Sequence, residues 1–310
     1  MYDIETLYQA KDVGDAVEAL KKNPNAVLIS GGTDVLIQIR EGKLAGASLV
    51  SLHNIKELKG IQVEEDQTIW IGPASSFSRI ANDPVILDKI PILAEAVDTV
   101  GGPQIRNMGT IGGNVCNGVT SADSASTQFV LNASLELTGP SGIRHVPISE
   151  FYTGPGRTVR SHEEVLTGIR IAREDYEGYF GCYVKYGKRK AMEIATLGCA
   201  VLVKVTEDKK RIEDLRIAFG VAAPTPIRCY KTEEGAKGME IGNDLLCFVA
   251  EGVQGEVNPR SSWRASKEFR LLLIQEMAKR GLAKALERAG ADVKGLKYWE
   301  NWQNGGEIDA

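Results

Sequence analysis

What most limits how this chain can fold is where its glycines fall. Thirty-three of the 310 residues are glycine, against a usual level of about 7%, and the excess is concentrated. Residues 26–29 form an apolar run short enough for a buried strand, and the run ends in Ser30-Gly31-Gly32-Thr33-Asp34. Glycines let a ligand approach the backbone closely, and freed N–H groups suit an anion. The spacing is neither G-x-G-x-x-G nor G-x-x-x-x-G-K-[ST]. Taken alone, the segment also has the chemistry of a tight strand-to-helix turn. A second segment, residues 109–118 followed by Thr120-Ser121-Ala122-Asp123, mixes glycines with small hydroxyl and amide side chains. It is too polar for a buried strand and reads as a loop. Such a loop can present several N–H donors, and Asp123 can accept from a sugar hydroxyl. Gly101-Gly102 and Gly112-Gly113 lie within about a dozen residues of each other. Two glycine nests, one of them after a buried strand, match the needs of a ligand with two phosphates. The residues alone carry the reading as far as a phosphate-containing cofactor.

Composition removes whole classes of function. Lys plus Arg is 37 and Asp plus Glu is 41, a net charge of −4. Nucleic-acid binders are usually basic, and an acidic chain has no broad attraction to anionic membranes. No apolar run reaches the roughly 18 residues of a membrane span. The N-terminus carries acids and no apolar core of a signal peptide, so the cytoplasm is the expected compartment. The five cysteines, Cys116, Cys182, Cys199, Cys229 and Cys247, include no close pair. That spacing predicts neither a disulfide framework nor a zinc or iron–sulfur site in this chain. His53, His145 and His162 are scattered and read as surface or capping residues. Cys116 reads as a small filler residue.

Periodicity predicts a helix over 12–22 and strands near 26–29, 49–52 and 68–72. It predicts a helix after Pro91, and two strands around the turn at 139–142. Residues 151–160 read as a loop and 165–172 as a strand of alternating exposure. The chain turns polar at 173–178, where the main boundary is placed. Antiparallel strands follow at 180–186, 195–206 and 215–221, and then a mostly helical stretch at 251–289. The residues from 294 onward, with Trp299 and Trp302, show no periodicity and read as a contact to a partner or to the body of the chain.

Three strings carry a resemblance: ISGGTDVL from position 29, GPQIRNMGTIGGNVCNGVTSAD from position 102, and KYGKRKAMEIATLGCA from position 185. With APTPIRC and RSSWRASKEFR further on, they resemble the FAD-binding subunit of the xanthine dehydrogenase family of molybdenum hydroxylases. The match is similar to the bacterial type, in which the FAD domain is a separate polypeptide. The resemblance implies an α+β fold. A two-lobed FAD-binding domain of the vanillyl-alcohol-oxidase type is expected over 1–174, with lobes at about 1–56 and 57–174. A C-terminal domain of antiparallel sheet and helices is expected over 175–290, and a tail over 291–310. It also implies partners: one subunit carrying molybdopterin and one carrying two [2Fe–2S] clusters, in a heterotrimer. Electrons would reach FAD through the clusters and leave as hydride to NAD.

Carried over by position, the resemblance implies cofactor contacts from Leu28, Ile29, Ser30, Gly31, Gly32, Thr33, Asp34 and Val35. Thr110, Ile111, Gly113 and Asn114 belong to the same expectation, with Asp123 on the ribose and Leu166 packing near the ring systems. Lys185 reads as a cofactor contact or a solvated strand residue. Residues 191–194 lie along the isoalloxazine edge in that family. Val100 stands where the mammalian enzymes stack an aromatic ring on the flavin, and Met192-Glu193 stand where they hold two aspartates. The first change leaves that stacking absent or supplied elsewhere, and the second bears on the flavin potential and on access of the electron acceptor. No catalytic acid, base or nucleophile is expected. Arg106 and Arg260 read as solvated arginines. Three rival readings stay open: a subunit of a related heterocycle hydroxylase such as a nicotinate type, a stand-alone flavin oxidase, and an assembly module without flavin.

Overall fold

The computed structural model describes residues 2–296. The first lobe is a βαβαβ unit of β1 (Ile4–Gln9), α1 (Val13–Lys22), β2 (Val27–Ile29), α2 (Val35–Arg40) and β3 (Ala47–Ser51). Its three strands are parallel in the order β1–β3–β2. Helix α1 starts where Asp12 accepts from the Asp15 amide at 2.8 Å, and it buries Ala16, Val17 and Leu20. Strand β2 is an edge strand, half-buried along its length. The first glycine segment therefore leaves the C-terminal end of a parallel strand, where α/β sheets usually place their ligands.

The second lobe is built on the antiparallel strands β4 (Ile61–Val63), β5 (Ile69–Ile71), β6 (Ser134–Gly139), β7 (Gly142–Pro147) and β10 (Val165–Ile171), in the order β4–β5–β10–β6–β7. Between β5 and β6 come six short helices: α3 (Phe77–Ala81), α4 (Pro84–Lys89), α5 (Pro91–Asp98), α6 (Pro103–Met108), α7 (Ile111–Cys116) and α8 (Asp123–Val130). After β7 come α9 (Ile148–Phe151) and a small hairpin of β8 (Tyr152–Gly154) and β9 (Arg157–Thr158), where the sequence suggested only a loop. Strand β10 also departs from expectation. It is the central strand and is buried at every position but Arg170, because helices or neighbouring lobes cover both faces of its sheet.

At the start of β10, Glu164 takes a forked pair of hydrogen bonds from Arg144 at 2.6 and 2.9 Å and a third from the Ser161 amide at 2.7 Å. The Arg144 guanidinium, more than the amide, holds the Glu164 carboxyl down at about 2. A depressed carboxylate stabilises fully above its unfolded pKa, near 4.5, and the effect is lost as pH falls toward 2. Arg144 is 45% exposed, so solvent screening limits the gain. Glu164→Gln is expected to cost about 1 kcal/mol at pH 7. Urea denaturation should show that deficit shrinking by more than half at pH 3.

The third unit is a sheet of β11 (Phe180–Tyr186), β12 (Leu197–Val205), β13 (Ile212–Gly220) and β14 (Ile227–Arg228), antiparallel in that order, with α10 (Tyr230–Ala236), α11 (Asn243–Gln254) and α12 (Lys267–Arg288). Alternation along its strands serves two cores. Ala200, Leu202 and Ala218 face the second lobe, while Cys199, Val201, Ile217 and Phe219 face the helices. The expected helical stretch at 251–289 is two elements. Residues 255–266 are irregular, and Ser266 restarts the helix by accepting from the Phe269 amide at 3.2 Å. Ala291, Val293 and Leu296 are buried in this unit's core, so the packed body runs past the expected boundary at 290. Trp299 and Trp302 lie outside the described residues. Two arginines tie the third unit to the second lobe. Arg216 pairs with Asp175 at 2.9 Å and donates to the Val130 carbonyl at 3.2 Å, and Arg288 pairs with Glu95 at 2.5 Å. Among the described residues no helix is long and apolar enough to cross a membrane.

Candidate functional site

The first glycine segment is built around backbone donors. Among the described residues, the amides of Ser30, Gly31, Gly32, Thr33 and Asp34 have no hydrogen-bond partner. A run of unpaired N–H groups between a strand and a helix is a nest for an anion. Gly32 holds φ at +71°, a left-handed turn that glycine adopts without strain. Gly31 meets the second segment. A Cβ there would stand 1.8 Å from the Met108 carbonyl oxygen and 3.1 Å from Gly109 Cα. The two glycine segments, almost 80 positions apart in the sequence, are thus in backbone contact.

The second segment corrects its sequence reading. Residues 111–116 are helix α7, not a donor-rich loop. Thr110 caps it by accepting from the Gly113 amide at 3.3 Å. The Ile111 amide goes to the Ser75 carbonyl at 3.1 Å, the Gly112 amide to Pro73 at 2.8 Å and the Asn114 amide to Thr110 at 3.0 Å. These donors are therefore satisfied within the protein. Ile111 and Val115, one turn apart, are buried, a signal the glycines mask in the sequence. Gly112 is needed for closeness, since a Cβ there would lie 2.4 Å from Pro73. Thr110 is buried and Gly113 exposed at the helix start. The Asn114 side chain is tied to α8, accepting from Ser124 Oγ at 2.8 Å.

Asp123, at the start of α8, is 7% exposed. Its Oδ2 accepts from Lys185 Nζ at 2.8 Å and its Oδ1 from Tyr183 Oη at 2.8 Å. Lys185 also donates to the Thr99 carbonyl at 2.9 Å. Burial, the largest influence, pushes the Asp123 carboxyl up, and Lys185 and then Tyr183 pull it back. Tyr183, enclosed and facing Asp123, is pushed well above the ordinary phenol range. Lys185 is therefore a half-buried ion-pair partner and not a solvated strand residue. A ribose at Asp123 would share oxygens that already accept two protein hydrogen bonds. Tyr183 was missed from the sequence, although it sits two residues from Lys185 on one strand and so shares its face.

The remaining predicted residues lie on β2, at the start of α2, in the 98–106 turn and on β10. Leu28 and Ile29 are half-buried on β2, Thr33 and Val35 half-buried beyond the glycines, and Asp34 exposed. Asp34 accepts from Gln38 Nε2 at 2.5 Å. Val100 is half-buried, and its carbonyl accepts from Arg106 at 3.3 Å. Arg106 pairs with Asp98 at 3.1 Å, so it is a staple across the 98–106 turn and not a solvated arginine. Leu166 is buried on β10 beside Leu137. In the loop after β11, Met192 has φ +56° and its side chain lies 3.3 Å from where a Gly102 Cβ would be. The Glu193 carboxylate folds back to accept from the Arg189 amide. Unpaired amides, a glycine floor and apolar flanks suit a dinucleotide cofactor such as FAD.

Comparison with known proteins gives the family. A family model described as the FAD binding domain in molybdopterin dehydrogenase matches residues 2–173. The carbon monoxide dehydrogenase flavoprotein C-terminal domain matches residues 182–285. The chain is 42% identical to the xanthine dehydrogenase FAD-binding subunit of Escherichia coli O157:H7, over 95% of this chain and all of that one. It is 31% identical to the carbon monoxide dehydrogenase medium chain of Hydrogenophaga pseudoflava, over 90% of this chain and 96% of that one. A solved carbon monoxide dehydrogenase structure from the same organism superposes with a TM-score of 0.88 at 28% identity, covering 93% of this chain and 99% of its counterpart. The α+β architecture is thus that of a known flavoprotein fold, and the chain belongs to the molybdopterin dehydrogenase family as an FAD-binding subunit.

Proposed function

We propose that this chain is the electron-output subunit of a molybdenum-dependent, xanthine-type dehydrogenase of the cytoplasm. It accepts electrons from the [2Fe–2S] clusters of one partner subunit and passes hydride to NAD, while molybdopterin on another partner hydroxylates the purine. The observation that carries the reading is the run of unpaired amides at 30–34, closed by the backbone of Met108 and Gly109, in a chain of this family. Ser30 to Val35 hold the pyrophosphate, and Thr110, Ile111, Gly113 and Asn114 flank it. Leu28, Ile29, Val100 and Leu166 supply apolar walls. Asp123 reaches the ribose, and Lys185 fixes Asp123. Bound FAD supplies two-electron storage between one-electron donors and a hydride acceptor. The protein contributes positioning and exclusion of water.

The test is an anaerobic titration of the purified chain with NADH, followed by visible absorption. Bleaching of the flavin bands is the expected result. Flavin bands that persist through excess NADH would remove the nicotinamide acceptor and leave a subunit that unloads its electrons elsewhere.

A further inference from the structure

We infer that Trp263, with Lys188 and Arg264, is the subsite that takes the adenosine diphosphate half of a nicotinamide dinucleotide; this rests on the reading that hydride leaves to NAD. Trp263 is 79% exposed, the most exposed large apolar side chain among the described residues. An exposed indole offers a flat apolar face and an N–H donor to a ligand. Two cations stand over its ring, Arg264 at 4.4 Å and Lys188 at 5.9 Å. Neither makes an ion pair with a carboxylate among the described residues, although the chain as a whole carries −4. A flat exposed ring beside unpaired cations takes a base by stacking and its phosphates by charge.

The position of the cluster favours a ligand with two ends. Lys188 lies on the loop after β11, three residues beyond Lys185, which bonds Asp123 and the Thr99 carbonyl. Met192 on the same loop packs over Gly102. From the other side, Phe269 meets Tyr186 edge to face at 5.7 Å, which pins the segment carrying Trp263 against β11. A molecule stacked on Trp263 therefore adjoins the loop that borders the cofactor cleft. A nicotinamide dinucleotide fits that layout, with its base and diphosphate at the cluster and its redox ring in the cleft.

The experiment uses ADP-ribose, which has the base and diphosphate but no nicotinamide, on the FAD-loaded chain. ADP-ribose should quench a component of tryptophan fluorescence that is absent from Trp263→Ala. The same variant should need about tenfold more NADH for half-maximal flavin bleaching, and Trp263→Phe should recover most of the affinity. Lys188→Glu should weaken ADP-ribose binding further and lessen its dependence on salt. A full flavin spectrum in each variant reports that the fold is intact. Absence of Trp263-dependent quenching would overturn the inference. So would an unchanged NADH half-point in Trp263→Ala, while the nicotinamide acceptor itself would stand. Quenching by ADP-ribose with no bleaching by NADH would keep this subsite and overturn the acceptor reading instead.

Discussion

Gly31→Ala is expected to weaken FAD binding by roughly tenfold to a hundredfold, and the variant should emerge from purification largely colourless. The new Cβ would stand 1.8 Å from the Met108 carbonyl oxygen and 2.6 Å from its carbon. Both contacts are to backbone, so no side chain can swing aside. One glycine segment must retreat from the other, and the nest at 30–34 opens with it. Gly242→Ala is the matched control. That position is extended, with nothing within 4 Å of an added Cβ, and its flavin content should equal that of wild type. Titrating apoprotein with FAD while following flavin fluorescence measures both, and circular dichroism confirms that Gly31→Ala is folded. Wild-type affinity in Gly31→Ala would mean that the two segments do not close on the cofactor.

Lys185→Met should be among the most destabilising single changes in the chain, at about 3 kcal/mol at neutral pH. It removes the cation from a pair in which the side chains of Lys185 and Asp123 are only 12% and 7% exposed. The carboxylate is then left with the Tyr183 hydroxyl alone. Burial already pushes Asp123 up, and Lys185 is the stronger of the two influences that oppose it. Without Lys185 the folded chain holds the proton on Asp123 to a higher pH than the unfolded chain does. An Asp raised in this way loses stability as pH rises through the window between its unfolded and folded pKa values. The deficit of Lys185→Met should therefore be smallest in mild acid and grow toward neutrality. Asp123→Asn in the same background should recover part of it, because the amide carries no charge and can still accept from Tyr183. Urea denaturation across pH 5 to 8 checks all three statements. A deficit under about 0.5 kcal/mol, or one independent of pH, would show that the pair carries little of the contact between lobe and sheet.

The local grammar of the chain was legible where one physical signal dominated. Asp12 and the spacing of Ala16, Val17 and Leu20 mark α1, and the 139–142 turn marks the β6–β7 hairpin. The first glycine segment was legible as a strand-to-helix turn with free amides, since nothing near it in sequence competes for them. The second was not. Its donors are consumed by Pro73 and Ser75, residues that only folding brings near, and glycine content hid the helical spacing of Ile111 and Val115. Strand β10 read as alternating from its sequence, whereas sheet order made it central. Lys185 shows the same limit. Its position on a strand was readable, but its partners Asp123 and Thr99 lie 62 and 86 residues away.

The central claim is that the site built by the two glycine segments holds a flavin dinucleotide. Its most direct test is to purify the chain, record the visible spectrum, release the bound flavin by denaturation and identify it by mass. The account predicts FAD, not the mononucleotide, at about one per chain, because the unpaired amides at 30–34 are placed for a pyrophosphate. A colourless chain that also takes up no added FAD would contradict it.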